Sequence, residues 1–410
     1  AARAHKIAPL FGFGETTEKN ILQGLEFLKR DKGRFLLGEI LPVAKDTLKT
    51  LKNLKEVDKV SLAGSLRRMK ETIGDVDFLA VSKNPKKVMD FFTHLPGVIK
   101  VWGAGGTKAS VRMANGFDMD LRVVPQKSYG AALQYFTGSK AHNIVTRKIA
   151  MEHGLKLSEY GLFKGKKMIA SKTEEDVYKA LGMEWIPPEI RENEGEIEAA
   201  LKGNLPKLVE MKDIKGDLHC HSSWDGGKHS IYEMADMAMS LGYEYIGISD
   251  HTKFLRIERG LHEKQLLEQK KEIDKLNSKF QALNSKFKIL HGCEANILND
   301  GSIDISDEVL AQLDYVIAGV HSTHKMPKQE MMARIEKAMR NEHVDIISHP
   351  TGRLVGKRDE IQHDFDEMLK IAKETGTILE INGSPHRLDL KDSYVRRAKN
   401  EGVKMIINTD

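Results

Sequence analysis

Two groups of side chains in this sequence have the types and spacing to do chemistry. The first lies in Gly64-Ser65-Leu66-Arg67-Arg68-Met69-Lys70-Glu71-Thr72-Ile73-Gly74-Asp75-Val76-Asp77 and in Phe117-Asp118-Met119-Asp120-Leu121-Arg122. On an extended strand, residues i and i+2 face the same side, so Asp75 aligns with Asp77 and Asp118 with Asp120, with apolar residues opposite. Carboxylates gathered from neighbouring strands repel unless a cation lies between them, and hard oxygen donors suit Mg²⁺ or Mn²⁺. Two such ions could activate a hydroxyl and stabilise a leaving pyrophosphate. Gly64 and Ser65 offer amides and a hydroxyl, and Arg68 a guanidinium, for substrate phosphates. An Asp-x-Asp alone is commonly a solvated strand edge. A Gly-Ser step, an Asp-x-Asp ten positions after Ser65 and a later strand aspartate together are far more specific.

The second group is built on histidine. In Asp217-Leu218-His219-Cys220-His221, the two imidazoles alternate around Cys220. His251, His321 and His349 each follow an apolar run; Glu294 and Asp410 end two others. Neutral imidazoles with carboxylates form a site for Zn²⁺, Mn²⁺ or Fe²⁺, which lower the pKa of bound water for attack on a phosphoester. His229, His262, His324, His343 and His363 read as packing or surface residues, and Cys220 and Cys293 as small buried hydrophobes.

Two kinds of scaffold must position these groups. Residues 1–38 read as helical around a turn at Gly12-Phe13-Gly14, and residues 40–54 as a helix with an apolar stripe. Strands are expected at 60–63, 76–81, 110–113 and 118–124, with a helix near 85–94, and mixed helix over 130–160. Trp185-Ile186-Pro187-Pro188 and the acidic run after it predict a linker. Beyond it, short apolar strands near 216–221, 245–249, 288–293, 314–320, 344–348, 377–381 and 404–408 alternate with amphipathic helices. That alternation predicts a parallel α/β barrel or sheet, in which side chains at the C-terminal strand ends converge on one face.

Composition narrows the function. Residues 1–170 hold 30 Lys and Arg against 16 Asp and Glu, a net of +14; the rest hold 34 against 43, a net of −9. A basic half suits a phosphate backbone. Twelve of the 16 histidines fall after residue 210, in the acidic half. No apolar run of about 18 residues exists, and the start shows no signal segment, so a cytoplasmic protein without a membrane span is expected. Two cysteines speak against a disulfide framework.

Gly64 through Asp77 resembles the nucleotidyltransferase motif of family X DNA polymerases. Asp120-Leu121-Arg122-Val123-Val124-Pro125 resembles that family's strand with the third catalytic aspartate, and Tyr135-Phe136-Thr137-Gly138-Ser139 its segment against the incoming sugar. The resemblance implies that Asp75 and Asp77 bind both metals and that Asp120 helps deprotonate the primer hydroxyl. It implies that Gly64, Ser65, Arg68 and Gly74 hold the triphosphate, with Tyr135, Phe136 and Gly138 beside the sugar. Asn143 and Arg147 match positions touching the incoming base and the template. Gly12-Phe13-Gly14 with Thr16 resembles a helix-hairpin-helix. The family usually carries a further N-terminal lyase-type domain, and this sequence is expected to start after it.

The second half resembles the PHP domain, a distorted (β/α)7 barrel holding up to three metals, Mn²⁺ or Zn²⁺. The resemblance implies that His219, His221, Glu294 and Asp410 share one metal. Glu294 would bridge to a second held by His321 and His349, and Asp225 and His251 would belong to a third. The family's last motif is Asp-x-His, and the sequence stops at its Asp410, so a weak third site is expected.

The implied order is a helix-hairpin-helix over 1–50, a nucleotidyltransferase palm over 51–126, a C-terminal polymerase subdomain over 127–184, a linker over 185–213 and a PHP domain over 214–410. The expected function is gap-filling DNA repair synthesis by a monomer acting on gapped or nicked DNA and dNTPs, with 3′-5′ exonuclease or abasic-site cleavage in the PHP half. Alternatives are a PHP phosphatase of a small phosphoester, a template-independent nucleotidyltransferase, and a DNA-binding scaffold with degenerate sites.

Overall fold

A computed structural model describes Ile7, Gly14, Glu15, Glu18 and residues 33–410. The Gly12–Thr16 turn and the helices expected around it lie largely outside the described residues. The chain forms two compact units that divide between Leu208 and Val209.

The first unit opens with β1 (Phe35–Leu36), α1 (Leu37–Lys52), β2 (Val57–Leu62), α2 (Gly64–Arg67), β3 (Thr72–Ile73) and β4 (Asp75–Ser82). It continues with α3 (Pro85–Thr93), β5 (Val98–Ala104), β6 (Lys108–Met113) and β7 (Asp118–Val123). In α1, Ile40, Ala44 and Leu51 fall on one buried face. Asn84 caps α3 by accepting from Lys87 N–H, and Pro85 presets its first turn. Five strands form a sheet in the order β2-β4-β7-β6-β5. One face carries Val76, Phe78, Met119 and Leu121 and packs against Ile40 and Phe92. On the other face, Leu79 and Val81 lie under Tyr129, Ala132 and Leu133 of α4 (Tyr129–Thr137). Toward the start of β4, that same face carries Asp75, exposed, and Asp77, half-buried.

Strand β5 was not expected. Six of its seven residues are exposed, Ile99 and Trp102 among them, so it has no alternation to betray a sheet edge. The unit ends with α5 (Lys140–Glu152), an antiparallel sheet of β8 (Lys156–Ser158), β9 (Gly161–Lys164) and β10 (Lys167–Ala170), then α6 (Glu174–Ala180) and α7 (Glu196–Leu201). The stretch from Trp185, expected to open a linker, is instead packed. Ile186, Ile197 and Ala200 join the core of this region, and Arg191 is fully buried against Glu174. A hydrophobic residue every few positions gave the proline-rich run a core to dock on.

The second unit contains β11 (Gly216–Asp217), α8 (Ile231–Ser240), β12 (Tyr245–Ile248), α9 (Glu263–Ala282), β13 (Lys288–His291), β14 (Glu294–Asn296), α10 (Asp307–Leu310) and β15 (Ile317–Gly319). Then come α11 (Lys328–Met339), β16 (Ile346–Ile347), α12 (Phe365–Thr375), β17 (Ile378–Asn382), α13 (Asp392–Glu401) and β18 (Met405–Asn408). All these strands pair in parallel, in sheets β11-β12-β13 and β14-β15-β16-β17-β18. An isolated bridge between His251 and Glu294 joins the sheets at one seam. At the other, Asp410 N–H donates to His219 O at 2.9 Å and Leu218 N–H to Asn408 Oδ1 at 3.0 Å. The expected barrel therefore takes the form of two parallel sheets without a continuous ladder. Cys220 and Cys293 are buried, as expected of small hydrophobes. No helix among the described residues is long and apolar enough to cross a membrane.

Candidate active sites

In the first unit, β4 and β7 run parallel in a register that pairs Asp75 with Asp118 and Asp77 with Asp120. The aspartates from 43 positions apart in sequence thus become neighbours. Burial and the charges of Asp120 and Asp118 raise the pKa of Asp75. Burial, then Asp75 and Asp120, push that of Asp77 up to about 7. Burial and mutual repulsion thus favour the protonated form of Asp77, a preference that a cation between the carboxylates would reverse. Lys108 Nζ lies 3.3 Å from Asp120 Oδ2. Asp118 is not a fourth free carboxylate: Arg112 donates to it at 2.5 and 2.9 Å, and Trp102 Nε1 at 2.8 Å. The Arg112 bonds hold its pKa low. A cavity of about 180 Å³ is lined by Asp77, Asp120, Lys108, Arg122 and Phe136.

Gly64 shows why this loop needs glycine. Its φ is +61°, and a Cβ there would lie 2.1 Å from Asp77 Oδ2. Ser65 follows in the first turn of α2, half-buried, and Gly74 leads into Asp75. Arg68 is committed elsewhere: its Nε donates to Glu192 at 2.7 Å and its Nη1 to Thr137 O. Gly138 lies against it. Tyr135 and Phe136 meet edge to face at 5.1 Å, with Arg122 over the Phe136 ring at 4.7 Å. Asn143 and Arg147 lie on α5. Asn143 spends its side chain on Gln134 and Tyr135 O, and Arg147 Nε donates to Asn143 O.

In the second unit, the histidines leave the strands just past their C-terminal ends and converge on Glu294. His251 Nδ1 lies 2.8 Å from Glu294 Oε2, and His219 Nε2 lies 3.3 Å from it. His321 Nε2 and His349 Nε2 approach Glu294 Oε1 at 3.0 and 2.9 Å. Gly319 makes room, because a Cβ there would lie 2.8 Å from the His321 ring. Donor atoms fall into three overlapping groups: His219, His221, Glu294 and Asp410; His221, Asp225 and His251; and His251, Glu294 and His321. The first is the set expected. The second adds His221 to the expected pair, and the third adds His251 beside Glu294 and His321; His349 lies outside these groups but meets Glu294 Oε1 beside His321, as expected.

His219 Nε2, His221 Nε2, His251 Nδ1 and Glu294 Oε2 are buried without a hydrogen-bond partner. Such atoms are costly unless something binds them, and this donor set fits divalent cations. Burial opposes charge on His219, but Glu380 and Glu294 outweigh it and raise its pKa well above the usual value. Against burial, the hydrogen bond to Asp225 and the nearby Asp410 carboxylate push that of His221 up to about 10. Burial would raise Glu294, but the surrounding imidazoles hold it well below the carboxylate range.

Several supporting residues escaped the sequence reading. Glu380, fully buried on β17, lies 2.7 Å from His219 Nδ1 and accepts from His349 N–H and Asn408 Nδ2. Asn296 Oδ1 lies 2.8 Å from His321 Nδ1 and is itself held by Asp304. Arg387 Nε forms an ion pair with Asp410 Oδ2 at 3.0 Å. A charged residue inside Ile378-Leu379-Glu380-Ile381 was the one available signal.

The protein is similar to the DNA polymerase/3′-5′ exonuclease PolX of Bacillus subtilis (strain 168): 40% identical over 414 residues, spanning 100% of this chain and 72% of that protein. The chain belongs to the family X DNA polymerases that carry a PHP domain. A family model described as DNA polymerase beta thumb matches residues 132–192 of this family X chain, and one described as PHP domain matches residues 217–384. Its PHP half is also similar to probable phosphatases, at 27% identity over 203 residues in Acetivibrio thermocellus and 29% over 205 in Thermoanaerobacter sp.. Each match covers 47% of this chain, with 78% and 77% of those proteins.

Proposed function

We propose that the chain is a DNA-directed DNA polymerase that fills gaps during repair, with a 3′-5′ exonuclease and abasic-site endonuclease in its PHP half. The observation that carries this reading is the register placing Asp77 beside Asp120 on parallel strands, with Gly64 packed against Asp77. In this reading Asp75, Asp77 and Asp120 hold Mg²⁺ or Mn²⁺, which would lower the pKa of the primer 3′-hydroxyl and screen the triphosphate. Ser65, the Gly64 and Gly74 backbone and Arg68 take the phosphates. Arg68 must first leave Glu192. Tyr135, Phe136 and Gly138 flank the sugar, and Asn143 and Arg147 face base and template once Asn143 leaves Gln134 and Tyr135 and Arg147 leaves Asn143.

In the PHP half, His219, His221, Asp225, His251, Glu294, His321, His349 and Asp410 hold Mn²⁺ or Zn²⁺, which would supply a hydroxide for phosphodiester attack. Glu380 and Asn296 fix the ring orientation of His219 and His321. The fold behind this site is read as a (β/α)7 barrel, with β13 and β14 as one strand broken at Gly292. Leu218, Leu290, Ile317, Ile346, Ile378 and Ile406, one from each of several strands, meet in a single apolar cluster, as the interior of a barrel would.

The domains proposed are a helix-hairpin-helix over 1–50, palm over 51–126, thumb over 127–208 and PHP domain from 209. The substrates are gapped or nicked DNA and dNTPs, and the protein acts as a cytoplasmic monomer. A gapped duplex with dNTPs and Mg²⁺ or Mn²⁺, resolved on a sequencing gel, tests the reading. Extension and shortening of the primer are both expected. A chain that hydrolyses only small phosphomonoesters would move the PHP half to the phosphatase reading.

A further inference from the structure

Arg387 lies in the loop after β17 and has no assigned role among the metal-binding groups. Its Nε forms an ion pair with Asp410 Oδ2 at 3.0 Å, and Asn382 Nδ2 donates to the same oxygen at 2.8 Å. With Oδ2 held by these two partners, the other oxygen faces inward: Asp410 Oδ1 lies 3.6 Å from both His219 Nε2 and His221 Nε2. Arg387 therefore stands at the wall of the cluster, behind one of its ligand-type carboxylates. Its Nη1 is buried and has no hydrogen-bond partner. A guanidinium nitrogen out of water without an acceptor is costly, on the order of 1–3 kcal/mol for an unsatisfied group and more for a charged one. The side chain as a whole is 20% exposed while Nη1 itself is covered, so a ligand would reach Nη1 by displacing what covers it.

The loop that carries it is built, not loose. Buried Asp389 accepts from Thr351 Oγ1 at 2.9 Å and from Thr351 N–H at 3.0 Å. Asp389 N–H and Asn382 N–H exchange hydrogen bonds with each other's carbonyls, and Arg353 donates to Leu388 O. Burial, then the charge of Arg387, lowers the pKa of a second guanidinium, Arg358. The same two causes, in the same order, lower that of His349. A fixed, planar donor beside a cation site suits a tetrahedral oxyanion, since one guanidinium nitrogen can hold the protein carboxylate while another holds the ligand.

We propose that Arg387 binds a non-bridging oxygen of the substrate phosphate at the PHP cluster, using Nη1 while Nε keeps Asp410 in place. The ligand class is a nucleotide phosphodiester or its monophosphate product. The inference rests on the phosphodiesterase reading of this half, and the experiment separates the two.

Full-length protein loaded with Mn²⁺ is compared with Arg387→Met and Arg387→Lys. Metal content is measured by elemental analysis, hydrolysis of thymidine 5′-(p-nitrophenyl phosphate) by steady-state kinetics, and affinity for thymidine 5′-monophosphate by calorimetry. Because Asn382 still holds Asp410 Oδ2, Met should keep the metal content, weaken monophosphate binding about tenfold and lower kcat/KM on the order of 10²-fold. Lys should recover part of both, and added guanidinium should restore the rate of the Met variant with saturation. Loss of metal from Arg387→Met would overturn the proposal, because Arg387 would then serve only to hold Asp410. Unchanged monophosphate binding would overturn it too. If the wild-type protein cleaves no phosphodiester, the phosphodiesterase reading fails, and calorimetry still decides whether Arg387 binds the phosphate.

Discussion

At the scale of single residues, the two sites depend on close approach more than on charge. Gly64 is the sharpest case. Alanine would place a methyl carbon 2.1 Å from Asp77 Oδ2 at a φ of +61°, so either the loop or the carboxylate must move. A displacement near 1 Å at a reacting centre costs on the order of 10²-fold in rate. Gly64→Ala should therefore cut primer extension by about that factor, while the melting temperature, followed by calorimetry, falls only a few degrees. Retention of full extension would remove the close contact from the mechanism. Glu380 offers a complementary case. It receives only donors, from His349 N–H, Asn408, Asn382 and the His219 ring. A glutamine at 380 would turn one donor toward other donors and leave His219 without a fixed orientation. Losses of outer partners of this kind cost roughly 10–100-fold in metal affinity. Glu380→Gln should show that loss in a Mn²⁺ titration followed by calorimetry; unchanged affinity would make Glu380 a packing residue.

At the scale of elements, an ion-pair network ties α2 to the start of α6. Arg67 of α2 meets Glu174 at 2.7 and 2.8 Å, and Arg191 meets the same carboxylate at 2.6 Å. Burial would raise the pKa of Glu174, but the hydrogen bond from Arg67 and the charge of Arg191 hold it at about 2, against an ordinary 4.5. A depressed folded-state value stabilises the protein above the unfolded value and stops doing so as pH falls through the folded one. The contribution is thus complete above about pH 4.5 and fades toward pH 2; its size is on the order of 3 kcal/mol from the shift. Glu174→Gln should lower the unfolding temperature of the first unit near pH 7, and the gap from wild type should narrow below pH 4.5. A gap that stays constant with pH would show that the pair adds nothing beyond packing.

The elements also show how far sequence could see. Strands such as β4 and β7 were legible because one face alternates between aspartate and an apolar residue. The edge strand β5 was not, because an exposed strand needs no alternation. The proline-rich run after Trp185 looked like a linker, since nothing local reveals that Ile186 and Ile197 have a core to enter. In the PHP half the residues of the cluster stood out by their position after apolar runs. Their partners Asn296, Glu380 and Arg387 did not, because one polar residue in or near a strand is indistinguishable from surface until the fold closes over it. The grouping of donors was likewise hidden. Which imidazole faces which carboxylate oxygen depends on strand order and stagger: His321 and His349 share Glu294 Oε1, while His251 faces Oε2.

At the scale of the whole molecule, the two sets of functional groups belong to separate compact units with separate cores. Chemistry in one should survive the loss of the other. Asp120→Ala should abolish primer extension and leave 3′-end shortening intact; Glu294→Ala should do the reverse, because it removes the carboxylate around which five imidazoles gather. Both activities are read from one gel on a gapped duplex. If either variant lost both, the sites would be coupled in a way that separate cores do not provide.

The seam between β11 and β18 has a consequence for how the PHP unit comes into being. Leu218 and Asn408 stand 190 positions apart, and Thr409 meets Asp217 across 192. Bringing such distant partners together carries a loop-closure cost that local contacts do not share, and contacts of this range slow the search for the native state. His219 and Asp410 sit on opposite banks of that seam and face one another within the same donor group. A nascent chain can assemble helices and neighbouring strands early, yet it cannot offer this group complete until its first and last strands have met. A cation that needs all four donors of this group would therefore be captured only after β11 and β18 have been brought together.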